Sequence, residues 1–273
     1  MPVAEPLVPS AELIRRVREA ECRYTDLRLG VLAALPGNPV GVERRRIGEA
    51  WAFRAQHLPM EAFNRVVGLT DAQAGEVAGL AEWFADNGSS GRFEVAPGAP
   101  MDALARALAS AGYAQTSFHA TLCGEVGGET IPNNGVQVEE VTTPAVLEAF
   151  LDTYGAGWGI PPEGRDGFKA NVRGWLGQPG WRLYLARCDG TPAGEAILYL
   201  HDGVGYLADS AVHPDFRGRG VHRALIDRRR TDARVAGADL LCVQAAYLST
   251  SHRNMVRAGL NLLYAQTYWT PPA

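Results

Sequence analysis

One segment limits what this chain can become: residues 211–226, Ala-Val-His-Pro-Asp-Phe-Arg-Gly-Arg-Gly-Val-His-Arg-Ala-Leu-Ile. An apolar strand ends at a proline, a short turn supplies two glycines, and a helix begins at once. Gly218 and Gly220 can take the positive φ that residues with a Cβ avoid. The first helical N–H groups then converge on one point at the positive end of the helix dipole. Arg217, Arg219 and Arg223 surround that point with guanidinium groups suited to phosphate oxygens. The pattern predicts a di- or polyphosphate lying over the helix start. It disfavours a dinucleotide-binding Rossmann turn, because Arg223 stands where the third glycine belongs and the motif comes late in its domain.

The sequence around this turn reads as strands with helices packed on them. Residues 136–141 predict a strand, and 143–154 a helix opened by Thr143 and Pro144. Residues 165–176 predict a second helix. Two strands, 182–187 and 193–200, flank an Asp189-Gly190 hairpin turn. A strand over 205–212 leads into the glycine turn, and the helix from Gly220 to about Ala236 stops at Gly237. A buried-type strand (240–245), a short helix (251–258) and a last strand (261–269) follow. Strands dominate, so the fold class is α/β or α+β with one mixed sheet.

The low-complexity stretch 124–135 marks a boundary, giving domains 1–130 and 131–273. The first half weakly echoes the second. It offers a strand at 93–95, a helix at 101–110, an Ala111-Gly112-Tyr113 break and a strand at 117–123, as the C-terminal end does around Ala258-Gly259-Leu260. Upstream, Arg65 to Gly68 followed by a helix over 71–86 mirrors Ala211-Val212 and the helix after Gly220. Where the second half has its glycine turn the first has Gly68-Leu-Thr-Asp-Ala-Gln-Ala, so the first copy should not bind phosphate.

Composition removes other classes. The net charge of −4 leaves no footprint for nucleic acid. No apolar run approaches the ~18 residues of a membrane span, and residues 1–22 lack a signal-peptide core, so no membrane is expected and the cytoplasm is the expected address. Cys22, Cys123, Cys188 and Cys242 are far apart, with no CxxC pair, so reduced thiols and no metal site are expected. Lys169 is the single lysine, which excludes a P-loop.

On Arg217-Gly-Arg-Gly-Val-His222, following a strand that ends in Val-His-Pro, the sequence resembles the GNAT superfamily of acetyl-CoA-dependent N-acyltransferases. Residues 249–260, with Gly259-Leu260 where that family has Gly-Phe, are similar to its second cofactor segment. The order of elements from 136 to 269 agrees, and the whole chain resembles a bacterial two-part subgroup with a degenerate N-terminal half. The resemblance implies a GNAT fold: a mixed, mostly antiparallel, splayed sheet flanked by helices, in tandem GNAT-like halves. It also implies that the second half is one closing strand short, which residues 117–123 of the first half could supply.

The resemblance implies acetyl-CoA as cofactor. The amides of Arg219, Gly220, Val221 and His222 would hold its pyrophosphate, beside Arg217, Gly218 and Arg223. Ser210, Ala211 and Val212 would bond the pantetheine arm like an added strand, and the Val212 amide would polarise the thioester carbonyl. Ser251 and Asn254 would reach the cofactor from the other side, with a helix-terminus hydrogen bond the plainer role for Asn254. The reaction implied is acetyl transfer to a primary amine of a small molecule, directly in a ternary complex.

Such a reaction needs a base for the amine. Asp209 is the preferred candidate, although an exposed strand carboxylate paired with an arginine would look the same. Tyr206 occupies the place where some relatives carry a basic glutamate. The family's general-acid tyrosine position falls on Met255, and Tyr264 on the last strand is the substitute considered. Tyr154 and Trp158, in Tyr-Gly-Ala-Gly-Trp-Gly-Ile-Pro-Pro, stand where relatives build the acceptor lip. The run Arg228-Arg229-Arg230 reads as a solvated helix face. The missing tyrosine keeps a second reading open, a CoA-binding sensor without turnover.

Overall fold

Asp189 and Gly190 both take positive φ, 49° and 81°, and so do Asp202 and Gly203, at 43° and 75°. Two consecutive positive-φ residues make the tight turn whose twist matches antiparallel strands. These two turns fix the register of the three strands they join. The structure, a computed structural model, describes residues 7–58, 60–86, 88–97, 101–127, 135–161, 169 and 172–271.

In chain order the elements are α1 (Ala11–Ala33), β1 (Val42–Ile47), β2 (Ala50–Ala55), β3 (Arg65–Val67), α2 (Val77–Ala85), β4 (Arg92–Val95), α3 (Asp102–Ser110), β5 (Ala114–Glu125), β6 (Val136–Glu140) and α4 (Pro144–Gly157). They continue with β7 (Trp181–Cys188), β8 (Thr191–His201), β9 (Val204–Val212), α5 (Val221–Val235), β10 (Leu240–Ala246), α6 (Thr250–Arg257) and β11 (Asn261–Thr270). The mixed α/β class and the mostly antiparallel sheet flanked by helices are as the sequence predicts. Half of the predicted second helix, 165–176, falls outside the described residues. The predicted helix over 71–86 begins as a 3-10 turn, Asp71–Glu76, before α2 takes over.

The chain forms two compact units. The N-terminal unit comprises Val8–Thr121, Ala245–Ser249 and Leu262–Ala273, and the C-terminal unit is built of Leu122–Gln244 and Thr250–Asn261. Most of the last strand therefore belongs to the N-terminal unit, and the end of β5 from Leu122 belongs to the C-terminal one. A single cut at residue 130 does not separate the units.

In the N-terminal unit the strand order is β1-β2-β3-β4-β11-β5. β2 explains its layering. Its sequence, Ala-Trp-Ala-Phe-Arg-Ala, puts Trp51, Phe53 and Ala55 on one face, against Cys22, Leu29 and Leu32 of α1. Ala50 and Ala52 face the other way, into a core with Trp83 and Phe84 of α2 and Leu104 and Leu108 of α3. Alternation of large and small residues lets one strand serve two cores.

In the C-terminal unit the order is β10-β9-β8-β7-β6, antiparallel except for the parallel β9–β10 pair. Thr143 caps α4 through its hydroxyl, which accepts from the Val146 N–H, and Pro144 takes the first helical position.

Candidate active site

The antiparallel ladder between β8 and β9 slips by one residue. Ala196 faces Ser210, yet Ile197 faces Ala208, so Asp209 is the extra residue of a β-bulge. A bulge bends its strand, leaves backbone groups unpaired and re-aims a side chain. Here the freed carbonyls find a partner in α5. Arg229, fully buried, donates from Nη1 to the carbonyls of Ile197 and Ala208, both at 3.0 Å, and from Nε to that of Leu225 at 3.1 Å. Burial pulls its pKa down to about 10, against the nearby Glu195. The reading of Arg228-Arg229-Arg230 as a solvated face is therefore corrected. Arg230 is also buried and bonds the Ala258 carbonyl, while Arg228 bonds Asp232 at 2.9 Å and the Val138 carbonyl at 2.7 Å. An arginine can sink into a core when backbone carbonyls are waiting for it.

Beyond the bulge, β9 runs into the glycine turn. Gly218 and Gly220 have φ of 78° and 80°. Gly220 is the N-cap of α5, and no side chain bonds the helix start. The amides of that first turn are left to a ligand or to water. The turn lines a cleft of about 780 Å³ together with Ser210–Val212, the start of α5 and one side of α6. All the residues expected to hold a cofactor line this cleft except Arg219, which is exposed and lies over the Phe216 ring at 5.3 Å.

Several lining side chains are already fixed. Arg223 pairs with Asp227 at 2.8 Å and donates to the Arg257 carbonyl at 3.1 Å. Asn254 donates to His222 Nδ1 at 3.3 Å and accepts from Arg257 at 3.1 Å. Burial, with a smaller push from Arg229, lowers the His222 pKa to about 4, so its ring is neutral at pH 7. A neutral ring can accept the Asn254 hydrogen bond.

α4 supplies the opposite wall. A Cβ on Gly157 would lie 2.7 Å from that of Ala211, so only glycine lets the helix end rest on β9. Tyr154 donates to Asp209 Oδ2 at 2.8 Å and stacks on Trp158, centroids 5.8 Å apart. Trp158 is 52% exposed, yet its indole N–H donates at 3.1 Å to Oε1 of Glu195, which is fully buried on β8. Burial raises the Glu195 pKa well above the usual carboxylate range, and the charge of Asp209 pushes the same way. The bulge thus brings Tyr154, Trp158 and Asp209 together, as candidates, around a carboxyl that the sequence reading passed over. Its signal was an acid inside the apolar run Ala193-Gly-Glu-Ala-Ile-Leu198.

Two other candidates do not join them. Tyr206 is buried on β9 opposite Tyr199; of the catalytic and acceptor candidates Trp158 lines the cleft, while Asp209 and Tyr154 lie behind its lining. Tyr264 is buried on β11, in the N-terminal unit. Met255, at the expected tyrosine position, is a core residue. Among the described residues no cluster of His, Cys, Asp and Glu could hold a metal, and no helix is long and apolar enough to cross a membrane.

Residues 143–253, from the cap of α4 to the second turn of α6, match the acetyltransferase (GNAT) family. Over this stretch the chain is similar to that family. Solved structures support the same fold over nearly the whole length. A GCN5-related N-acetyltransferase from Kribbella flavida is 18% identical, with a TM-score of 0.67, covering 95% of each chain. One from Sphaerobacter thermophilus is 16% identical, with a TM-score of 0.60, covering 96% of this chain and 94% of its own. A tandem GNAT protein from the clavulanic acid biosynthesis pathway is 13% identical, with a TM-score of 0.58, covering 96% and 97%. No curated protein matches this chain in sequence. GNAT proteins are acyltransferases that transfer acetyl groups, in general from acetyl-CoA. The cleft's donor set suits such a group: a helix start with no side-chain cap, two positive-φ glycines and exposed Arg217.

Proposed function

We propose that this GNAT protein transfers the acetyl group of acetyl-CoA to a primary amine of a small molecule, directly in a ternary complex. The observation that carries the reading is the uncapped helix start at Gly220, which opens into the same cleft as the β9 segment just beyond the bulge. In this proposal the amides of residues 219–222, with Arg217, Gly218 and Arg223, hold the pyrophosphate. Ser210, Ala211 and Val212 hold the pantetheine arm, and Ser251 and Asn254 close the far side. Acetyl-CoA supplies the acetyl group as a thioester. The Val212 N–H polarises the carbonyl oxygen. Tyr154 and Trp158 form the acceptor wall. Asp209, re-aimed by the bulge and held by the Tyr154 hydroxyl, takes the amine's proton. A thiol of pKa ~8.5 leaves without an obligatory acid, so Met255 in place of a tyrosine is tolerable, and Tyr206 and Tyr264 need no part. Along the sequence the catalytic half is 131–273 and the half 1–130 a degenerate GNAT-like partner, although residues 262–270 are shared into the N-terminal unit. A cytoplasmic location completes the proposal.

Calorimetric titration of acetyl-CoA into the parent and into the double variant Gly218→Asp, Gly220→Asp tests it. Carboxylates at the helix start should weaken binding at least about 100-fold, and the parent should release CoA with some member of a panel of amines. A folded parent that binds no acetyl-CoA overturns the reading. Met255 favours a second reading, a CoA-binding sensor: binding without turnover on any amine would select it.

A further inference from the structure

Glu195 has no place in the proposed reaction, yet it is a fully buried carboxyl beneath the acceptor wall. Its Oε1 accepts a hydrogen bond from Trp158, while its Oε2 has no hydrogen-bond partner. We propose that Glu195 is a positioning residue of the acceptor site: a buried, uncharged carboxyl that holds the Trp158 ring in place and leaves Asp209 as the charged member of the pair. The acceptor part of this proposal rests on the acetyltransferase reading.

The surroundings favour the neutral form. A buried carboxylate met only by two neutral donors, the Trp158 indole and the Ala211 backbone N–H, with Oε2 left bare, would lack the hydrogen bonds that charge demands. Arg229 of α5 is the nearby cation and its charge favours the ionised form, but it directs Nε and Nη1 to the carbonyls of Leu225, Ile197 and Ala208, and its Nη2 makes no hydrogen bond to Glu195. Asp209 on β9 adds a like charge, and two carboxyls close together cannot both ionise cheaply. Asp209 is partly exposed and receives the Tyr154 hydroxyl, so the charge settles there. From α4 come only the Trp158 indole and the Tyr154 phenol. Tyr184 on β7 bears on Arg229, and itself donates to Asp232 at 2.8 Å. Pairs of carboxyls whose environments separate their protonation divide their roles. An incoming ammonium is then drawn to Asp209, and the Trp158 ring it passes is anchored by a group that does not compete for it.

The indole N–H of Trp158 reports on this directly, with or without turnover. In the full chain labelled with 15N-tryptophan, Trp158→Phe identifies its resonance. From pH 4 to 6 that resonance should stay flat, also in Asp209→Asn. It should be retained in Glu195→Gln, which keeps a carbonyl acceptor, and shift or broaden in Glu195→Ala. In steady-state assays Glu195→Ala should raise acceptor KM about 10-fold with kcat within about 3-fold, and Glu195→Gln should restore both. If Glu195→Ala does not fold, Trp158→Phe should show the same KM rise. A resonance titrating in the ordinary carboxylate range in the Asp209→Asn background, or a Glu195→Gln enzyme that loses kcat as Asp209→Asn does, overturns the proposal. Absence of turnover with every amine would overturn the acetyltransferase reading while the indole titration still decides the state of Glu195.

Discussion

The two units each bury arginines and glutamates, and they treat them differently. In the N-terminal unit Arg65 bonds Glu21 at 2.8 Å and Glu94 at 3.0 Å, Arg92 joins Glu94, and Gln266 reaches its second oxygen at 3.3 Å. Both oxygens of Glu94 are engaged. Burial pushes its pKa up, but Arg65 and Arg92 more than offset that, and it ends below the ordinary value. In the C-terminal unit Arg229 spends Nε and Nη1 on carbonyls, and Glu195 keeps one bare oxygen. The helix starts differ in the same sense. Gln73 reaches back to Thr70, accepting from its N–H at 3.2 Å and its hydroxyl at 2.8 Å, whereas Gly220 offers no side-chain cap. Where polar groups close on one another they hold a fold; where they are left open, a ligand can complete them.

The largest expected break in this contrast is Glu94→Ala. It removes the carboxylate that buried Arg65 shares with Arg92, leaving them Glu21 and Glu61, and should cost about 3 kcal/mol of stability in denaturant unfolding, with Glu94→Gln milder. Asp209→Asn should leave stability and acetyl-CoA affinity alone and lower kcat about 100-fold, measured as CoA release. His222 gives a pH signature. Its folded pKa, about 4, lies below the ordinary value near 6.5, so the unfolded chain takes up its proton first as pH falls. Stability should therefore fall by about 1–2 kcal/mol between pH 7 and pH 5, and His222→Asn should flatten that slope. The smallest effect sharpens the comparison of helix starts. Gln73→Ala should cost about 0.5–1 kcal/mol and confer no acetyl-CoA binding on the N-terminal unit.

The phosphate turn was legible because it depends on local backbone chemistry: positive-φ glycines after a proline, before a helix. So were the Asp189-Gly190 hairpin turn and most strands of the second half. Glu195 and Arg229 were not. Their roles come from a one-residue slip between β8 and β9, which leaves the apolar pattern of each strand intact and shows only when the strands are paired. Within Arg228-Arg229-Arg230, helical geometry turns each arginine a different way, and only paired strands reveal which one meets empty carbonyls. β1 escaped notice for a simpler reason. Glu43 to Arg46 are exposed on an edge strand, and such charge reads as loop.

The strand Asn261–Thr270 has a consequence in time. It pairs with β4, Thr267 opposite Val95 and Trp269 opposite Phe93, and residues 262–270 belong to the N-terminal unit. A ribosome makes those residues after nearly all of the C-terminal unit has been synthesised. Until then β4 waits with a bare edge, and the half synthesised first is the half completed last.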